Sequence, residues 1–152
     1  MGGLSNKTNY KNNPCSNRYS YSAVLLPKRD NCAQYYDCSH PGGQIEECPF
    51  PDLFNENTQQ CEHYDQVDCG NKYEPTDACG YVGNKCTTKF CIPCNVRFPT
   101  CSGLRNGINA WRGRIWSPFY VECYNGRVVE TKRCSNDFVF SPIELKCISL
   151  NQ

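Results

Sequence analysis

The chain of 152 residues is short of aliphatic material: Val, Ile, Leu and Phe together number 28. That is too little for one large apolar core, so cross-links must replace part of the burial. No apolar run approaches the ~18 residues of a membrane-crossing helix. An excess of either charge is missing too. Sixteen basic against 15 acidic residues leave a formal net charge of +1, which speaks against nucleic-acid binding by phosphate neutralisation. Histidine occurs only as His40 and His63. Neither a nucleophile elbow nor a zinc-protease motif is present. Glu46 and Glu47 are adjacent, so on a strand they face opposite ways and cannot act as a glycosidase pair. The chain is therefore expected to be no enzyme and to need no cofactor and no metal.

Abundance lies in cysteine, with 14 residues, and in tyrosine, with ten. A cysteine fraction of this size signals a disulfide scaffold made in an oxidising compartment. Met1-Gly2-Gly3 leads straight into a polar segment without an apolar signal stretch. The chain is accordingly expected to be a mature segment, or a piece, of a larger secreted extracellular protein. Asn6-Lys7-Thr8 is a glycosylation sequon in that polar stretch, with Asn6 as acceptor.

The cysteines repeat at an offset of 85 to 86 residues: Cys15 with Cys101, Cys38 with Cys123, Cys48 with Cys134 and Cys61 with Cys147. Phe54 maps to Phe140 at the same offset and both read as core. Such a repeat splits the chain into two modules. Cys32 lands on Ser117 and Cys69 falls past Gln152, so neither has a counterpart. The simplest account bonds Cys32 to Cys69, with that whole bridge absent from the second copy.

Cys79, Cys86, Cys91 and Cys94 remain between the copies. They allow three disulfide pairings, and sequence does not choose among them. Cys91-Ile92-Pro93-Cys94 also has a zinc-ligand spacing, but Cys79 and Cys86 lack the second close pair of a zinc ribbon. Two disulfides are the preferred reading.

The expected fold class is small, disulfide-rich and all-β: two tandem modules of short antiparallel hairpins. Strands are expected over 35–38 and 44–48, flanking the turn-rich Ser39-His40-Pro41-Gly42-Gly43. In the second copy they are expected over 119–124 and 127–133, flanking Asn125-Gly126, a strong hairpin signal. A smaller hairpin follows in each copy, 53–55 with 60–63 and 138–141 with 145–148.

The order Cys15, Cys32, Cys38, Cys48, Cys61, Cys69 resembles the type-2 chitin-binding domain, the peritrophin-A or carbohydrate-binding module family 14. Cys32-Ala33-Gln34-Tyr35-Tyr36-Asp37-Cys38, Cys48-Pro49 with Phe54-Asn55, and Val67-Asp68-Cys69 resemble its side motifs. The resemblance covers 12–70 and implies a tachycitin- or peritrophin-like fold. It also implies the pairs Cys15–Cys38, Cys32–Cys69 and Cys48–Cys61. Residues 71–100 read as a cysteine-rich insert or linker. Residues 101–152 resemble a degenerate second copy, which implies Cys101–Cys123 and Cys134–Cys147. Two modules around such an insert are similar to the chitin-binding part of mollusc shell matrix proteins of the Pif type. The chain departs from the family at Pro51-Asp52, at Asn57 and at Glu62-His63-Tyr64.

The implied partner is chitin or an N-acetylglucosamine oligomer, bound without catalysis in a secreted extracellular matrix protein. Such a neutral polymer offers apolar sugar faces and polar acetamido edges, which suit flat rings and short polar groups. The first-copy candidates are Tyr64, Asn55, His63, Tyr35, Tyr36 and Asp65; in the second they are Trp111, Trp116, Tyr120 and Tyr124. Tyr35 and Tyr36 point to opposite strand faces, so at most one can be a sugar platform. Trp116 sits where the first copy has Asn31. Rival readings are an anchoring segment of a chitin-active enzyme and a disulfide-stapled ligand or inhibitor.

Overall fold

The computed structural model describes residue 15 and residues 24–150; the sequon at Asn6 lies outside the described residues. The fold is a small disulfide-rich all-β one made of two compact units, Met1–Pro75 and Thr76–Gln152.

In the first unit β1 (Leu25–Lys28), β2 (Asn31–Asp37) and β3 (Gln44–Glu47) form an antiparallel sheet in that order. Strand β1 had no sequence signal because Pro27 interrupts it. An edge strand tolerates the missing N–H of proline, and the register shifts directly after Pro27. The β2–β3 connection turns through Gly42 and Gly43, with φ of 76° and 77°, where a side chain would be strained. A two-stranded hairpin follows, β4 (Asp52–Asn55) against β5 (Gln60–His63).

The second unit repeats this plan. Strands β6 (Gly107–Ala110), β7 (Phe119–Tyr124) and β8 (Arg127–Arg133) form its sheet, and β9 (Phe138–Ser141) pairs with β10 (Lys146–Ser149). Asn125 and Gly126 join β7 to β8 with φ of 52° and 77°, the doubly positive pattern of a tight hairpin turn. From Thr76 onward the cysteine-rich segment is part of this unit. Its short helix α1 (Cys94–Arg97) packs against the 3₁₀ turn Arg112–Arg114. The Trp111 indole N–H donates to the Asn95 carbonyl at 2.6 Å, and Arg114 Nε donates to that of Val96 at 2.8 Å. Buried Asp77 ties the segment to the repeat: its carboxylate accepts from the backbone N–H groups of Cys79 and Ser102.

All 14 cysteines are paired. The first unit holds Cys15–Cys38, Cys32–Cys69 and Cys48–Cys61; the second holds Cys79–Cys94, Cys86–Cys91, Cys101–Cys123 and Cys134–Cys147. With Cys79, Cys86, Cys91 and Cys94 oxidised in two bridges, no thiolate is left there to ligate zinc. Eight of the 18 buried apolar residues described are half-cystines, so sulfur supplies much of the interior that aliphatic side chains would otherwise fill. Around them pack Ala33, Leu53 and Phe54 in the first unit, and Trp111, Val121 and Phe140 in the second.

Candidate functional site

The β4–β5 hairpin organises the candidate residues of the first unit. His63 ends β5 opposite Asp52, and Tyr64 starts the 3₁₀ turn Tyr64–Gln66. The His63 and Tyr64 rings lie 4.3 Å apart, tilted by 34°. Asp65 fixes the imidazole from the side, with Oδ1 2.8 Å from His63 Nδ1. The same hydrogen bond holds the Asp65 carboxyl below the usual aspartate range. His63 and Asp65 are exposed and Tyr64 is half-buried. Three consecutive residues thus present an imidazole edge, a phenol and a carboxylate on one short turn. This set can stack against an apolar sugar face and exchange hydrogen bonds with hydroxyl or amide groups.

Asn55 lies elsewhere. It pairs with Gln60 at the turn end of the hairpin, whereas His63 is at the opposite end. At the strand rise this separates them by about 10 Å. The Asn55 side-chain oxygen accepts from the backbone N–H groups of Asn57 at 2.9 Å and Thr58 at 3.4 Å, capping the β4–β5 turn. Ser141, at the end of β9, does the same, with Oγ accepting from Ile143 at 3.2 Å and Glu144 at 3.0 Å. Asn55 therefore has a structural task that Ser141 shares in the β9–β10 turn of the second unit.

Tyr35 and Tyr36 take opposite faces of β2. Tyr36 is buried beside Cys15, Cys38 and Leu26 and offers no ring face. Tyr35 is half-buried and stacks on Phe54, with centroids 4.7 Å apart and planes at 17°. Burial raises its phenol pKa, and the nearby carboxylates Glu46 and Asp37 add to the shift.

In the second unit Tyr120 stacks on Phe140 at 4.5 Å and 9°, as Tyr35 does on Phe54. Trp111 is 5% exposed, with the Arg114 guanidinium 4.2 Å from its ring centroid, so a ligand cannot reach either face. Of the candidate rings in this unit, Tyr124, at the end of β7, and Trp116 are the accessible ones, at 60% and 47% exposure. Trp116 adopts φ of 62°, a left-handed conformation that a bulky side chain rarely accepts.

Sequence reasoning passed over two exposed rings of the first unit, Phe50 and Tyr73. Phe50 precedes Pro51 in the turn that enters β4, so its backbone lies at the His63 end of the hairpin. An aromatic set between two prolines, Pro49-Phe50-Pro51, is held to the surface by its turn and was the available signal. Among the described residues no group of His, Cys, Asp and Glu is arranged to hold a metal ion. None of their helices is long and apolar enough to cross a membrane.

Residues 15–69 match the family model described as the chitin binding Peritrophin-A domain. The match starts and ends on the outermost of the six cysteines that bridge the first unit. It supports chitin as the kind of partner and describes a carbohydrate-binding module, not a catalytic one. No curated protein matches the chain.

Proposed function

We propose that the chain binds chitin without catalysis, as part of a secreted extracellular matrix protein, and that His63, Tyr64 and Asp65 form the main contact of the first unit. The match of residues 15–69 to a chitin-binding family carries the ligand class. The ring pair of His63 and Tyr64, steadied by Asp65, is the best built polar and aromatic surface among the first-copy candidates. Phe50 borders it in the chain path, in the turn that enters β4.

In this reading residues 101–152 are a second, degenerate copy. Repetition of the sheet order, of the stacked Tyr–Phe pair and of the capped turn supports it. Trp116 and Tyr124 are its sugar-facing rings. One stacked ring contributes on the order of 1 kcal/mol, so a single module binds short oligomers weakly. Two modules on one polymer gain through effective concentration.

The test is retention of the full chain on insoluble chitin and on cellulose, which lacks the acetamido group. Chitin should retain the chain and cellulose much less. Tyr64→Ala should weaken chitin binding about five- to tenfold, the loss of one stacked ring. Equal retention on both polymers refutes an acetamido-reading site. Full retention by Tyr64→Ala moves that site away from the 3₁₀ turn.

A further inference from the structure

The near-neutral net charge conceals a division. The first unit carries six Lys and Arg against ten Asp and Glu, a formal −4; the second carries ten against five, a formal +5. Within the second unit four of the five carboxylates are already engaged. Lys132 bridges Glu122 and Glu130, Lys146 pairs with Glu144, and Asp77 is buried on backbone N–H groups. Among the described residues, no carboxylate pairs with Arg97, Arg105, Arg112, Arg114 or Arg133.

These guanidinium groups are nevertheless held in place. Arg97 donates to the carbonyls of Ile92 and Asn84, and Arg112 to Thr100 Oγ1 at 3.0 Å and the Ser102 carbonyl at 2.9 Å. Arg114 lies over Trp111, and both Arg114 and Arg133 approach Phe119, at 5.5 and 5.6 Å from its centroid. Two like charges thus flank one ring with no anion between them. Such an arrangement is repulsive in the free protein and becomes favourable once an oxyanion enters. Guanidinium forks fixed by rings and carbonyls lose little freedom on binding sulfate or carboxylate groups.

We propose that the arginine pair over Phe119, Arg114 and Arg133, binds an anionic polysaccharide bearing sulfate or carboxylate groups. Uncharged chitin gives these groups no counter-charge. Seven disulfides place the chain in an oxidising compartment, where nucleic acid is not the expected polyanion. The choice of a glycan over an acidic protein rests on the proposed function, because this unit repeats the plan of the chitin-type module.

The experiment titrates the full chain with heparin as the sulfated probe, at low and at raised salt, and measures chitin retention in parallel. Binding should weaken as salt rises. Arg114→Gln with Arg133→Gln should reduce heparin affinity about tenfold. Lys85→Gln with Lys89→Gln, removing the same charge elsewhere in the unit, should change it less than about twofold. Both variants should keep the parent's chitin retention. Arg133→Glu alone serves if the double variant misfolds, since Arg133 is exposed and meets only a ring. Absence of heparin binding at low salt overturns the proposal. Equal losses from the arginine and lysine pairs replace a built site by general charge and also overturn it. Preference for polyaspartate over heparin would reassign the surface to an acidic protein. Loss of chitin retention with heparin binding intact would strike the proposed function instead.

Discussion

Tyr35 lies nearly parallel on Phe54, and this contact joins the three-stranded sheet of the first unit to its hairpin. Tyr120 on Phe140 makes the same junction in the second unit. Phe54 and Phe140 are buried, whereas each tyrosine is half-buried and covers its phenylalanine. The tyrosines therefore belong to the packing before they can belong to a binding surface. Tyr35→Ala and Tyr120→Ala should each destabilise their own unit by about 2–3 kcal/mol, and Phe54→Ala by about 3–5 kcal/mol. Tyr35→Phe should be nearly neutral. Denaturation of the oxidised protein checks this; a Tyr35→Ala unit as stable as the parent would mean that the stack holds nothing together.

Gly113 is the closest approach in the second unit. A Cβ placed there would sit 2.1 Å from the Asn95 carbonyl oxygen, which is backbone and cannot step aside. That carbonyl also receives the Trp111 indole N–H, so moving it would break a buried hydrogen bond. Gly113→Ala should cost about 3 kcal/mol or more and lower the melting temperature of the second unit alone. An unshifted transition would show that α1 can move away freely.

The paired turn caps give a milder test. Asn55→Ala and Ser141→Ala each strip two backbone N–H groups of their acceptor and should cost about 1 kcal/mol. Asn55→Asp, which keeps the accepting oxygen, should cost much less. If Asn55→Ala lost chitin retention with no loss of stability, Asn55 would be a sugar contact and not a cap.

His63 and Asp65 predict a pH response. The carboxyl of Asp65 is held below its usual range when folded, chiefly by the hydrogen bond from the His63 ring. The folded value is lower than the unfolded one, so its contribution is complete above the unfolded value, near pH 4. It disappears as the pH falls through the folded value. An NMR titration of the Asp65 carboxyl should give a depressed midpoint, and His63→Ala should move it up toward the ordinary aspartate value. An unchanged midpoint in His63→Ala would remove the ring from the account.

Much of this architecture was readable in the chain. Offset counting joined Cys32 to Cys69 without a structure, because a bridge lost from one copy takes both its partners with it. The hairpins declared themselves where alternation met turn residues, most plainly at Asn125-Gly126. What stayed hidden depended on contacts distant in sequence. Strands β1 and β6 are short, with Pro27 in one and Gly107 in the other, and they exist because β2 and β7 offer them an edge. Trp111 looked like a possible platform, yet the Asn95 carbonyl, 16 residues away, takes its indole N–H, while Arg114 of the adjoining turn covers a ring face. Charge over the whole chain summed to almost nothing, which masked two units of opposite sign.

Trp116 brings stability and binding into opposition. It is bulky, 47% exposed and set at φ of 62°, where asparagine or glycine is at ease. Asparagine adopts a left-handed backbone far more readily than tryptophan. Trp116→Asn should relieve strain without the chain entropy that glycine adds, and raise the stability of the second unit by about 0.5–1 kcal/mol. Trp116→Gly should come out near zero, its relaxed backbone offset by a floppier unfolded state. If the ring is retained for stacking on chitin, Trp116→Asn should also weaken retention of the full chain, so that the more stable protein is the poorer binder. A variant that gains stability and keeps full retention would remove Trp116 from the sugar surface and leave Tyr124 as the accessible ring candidate of the second copy.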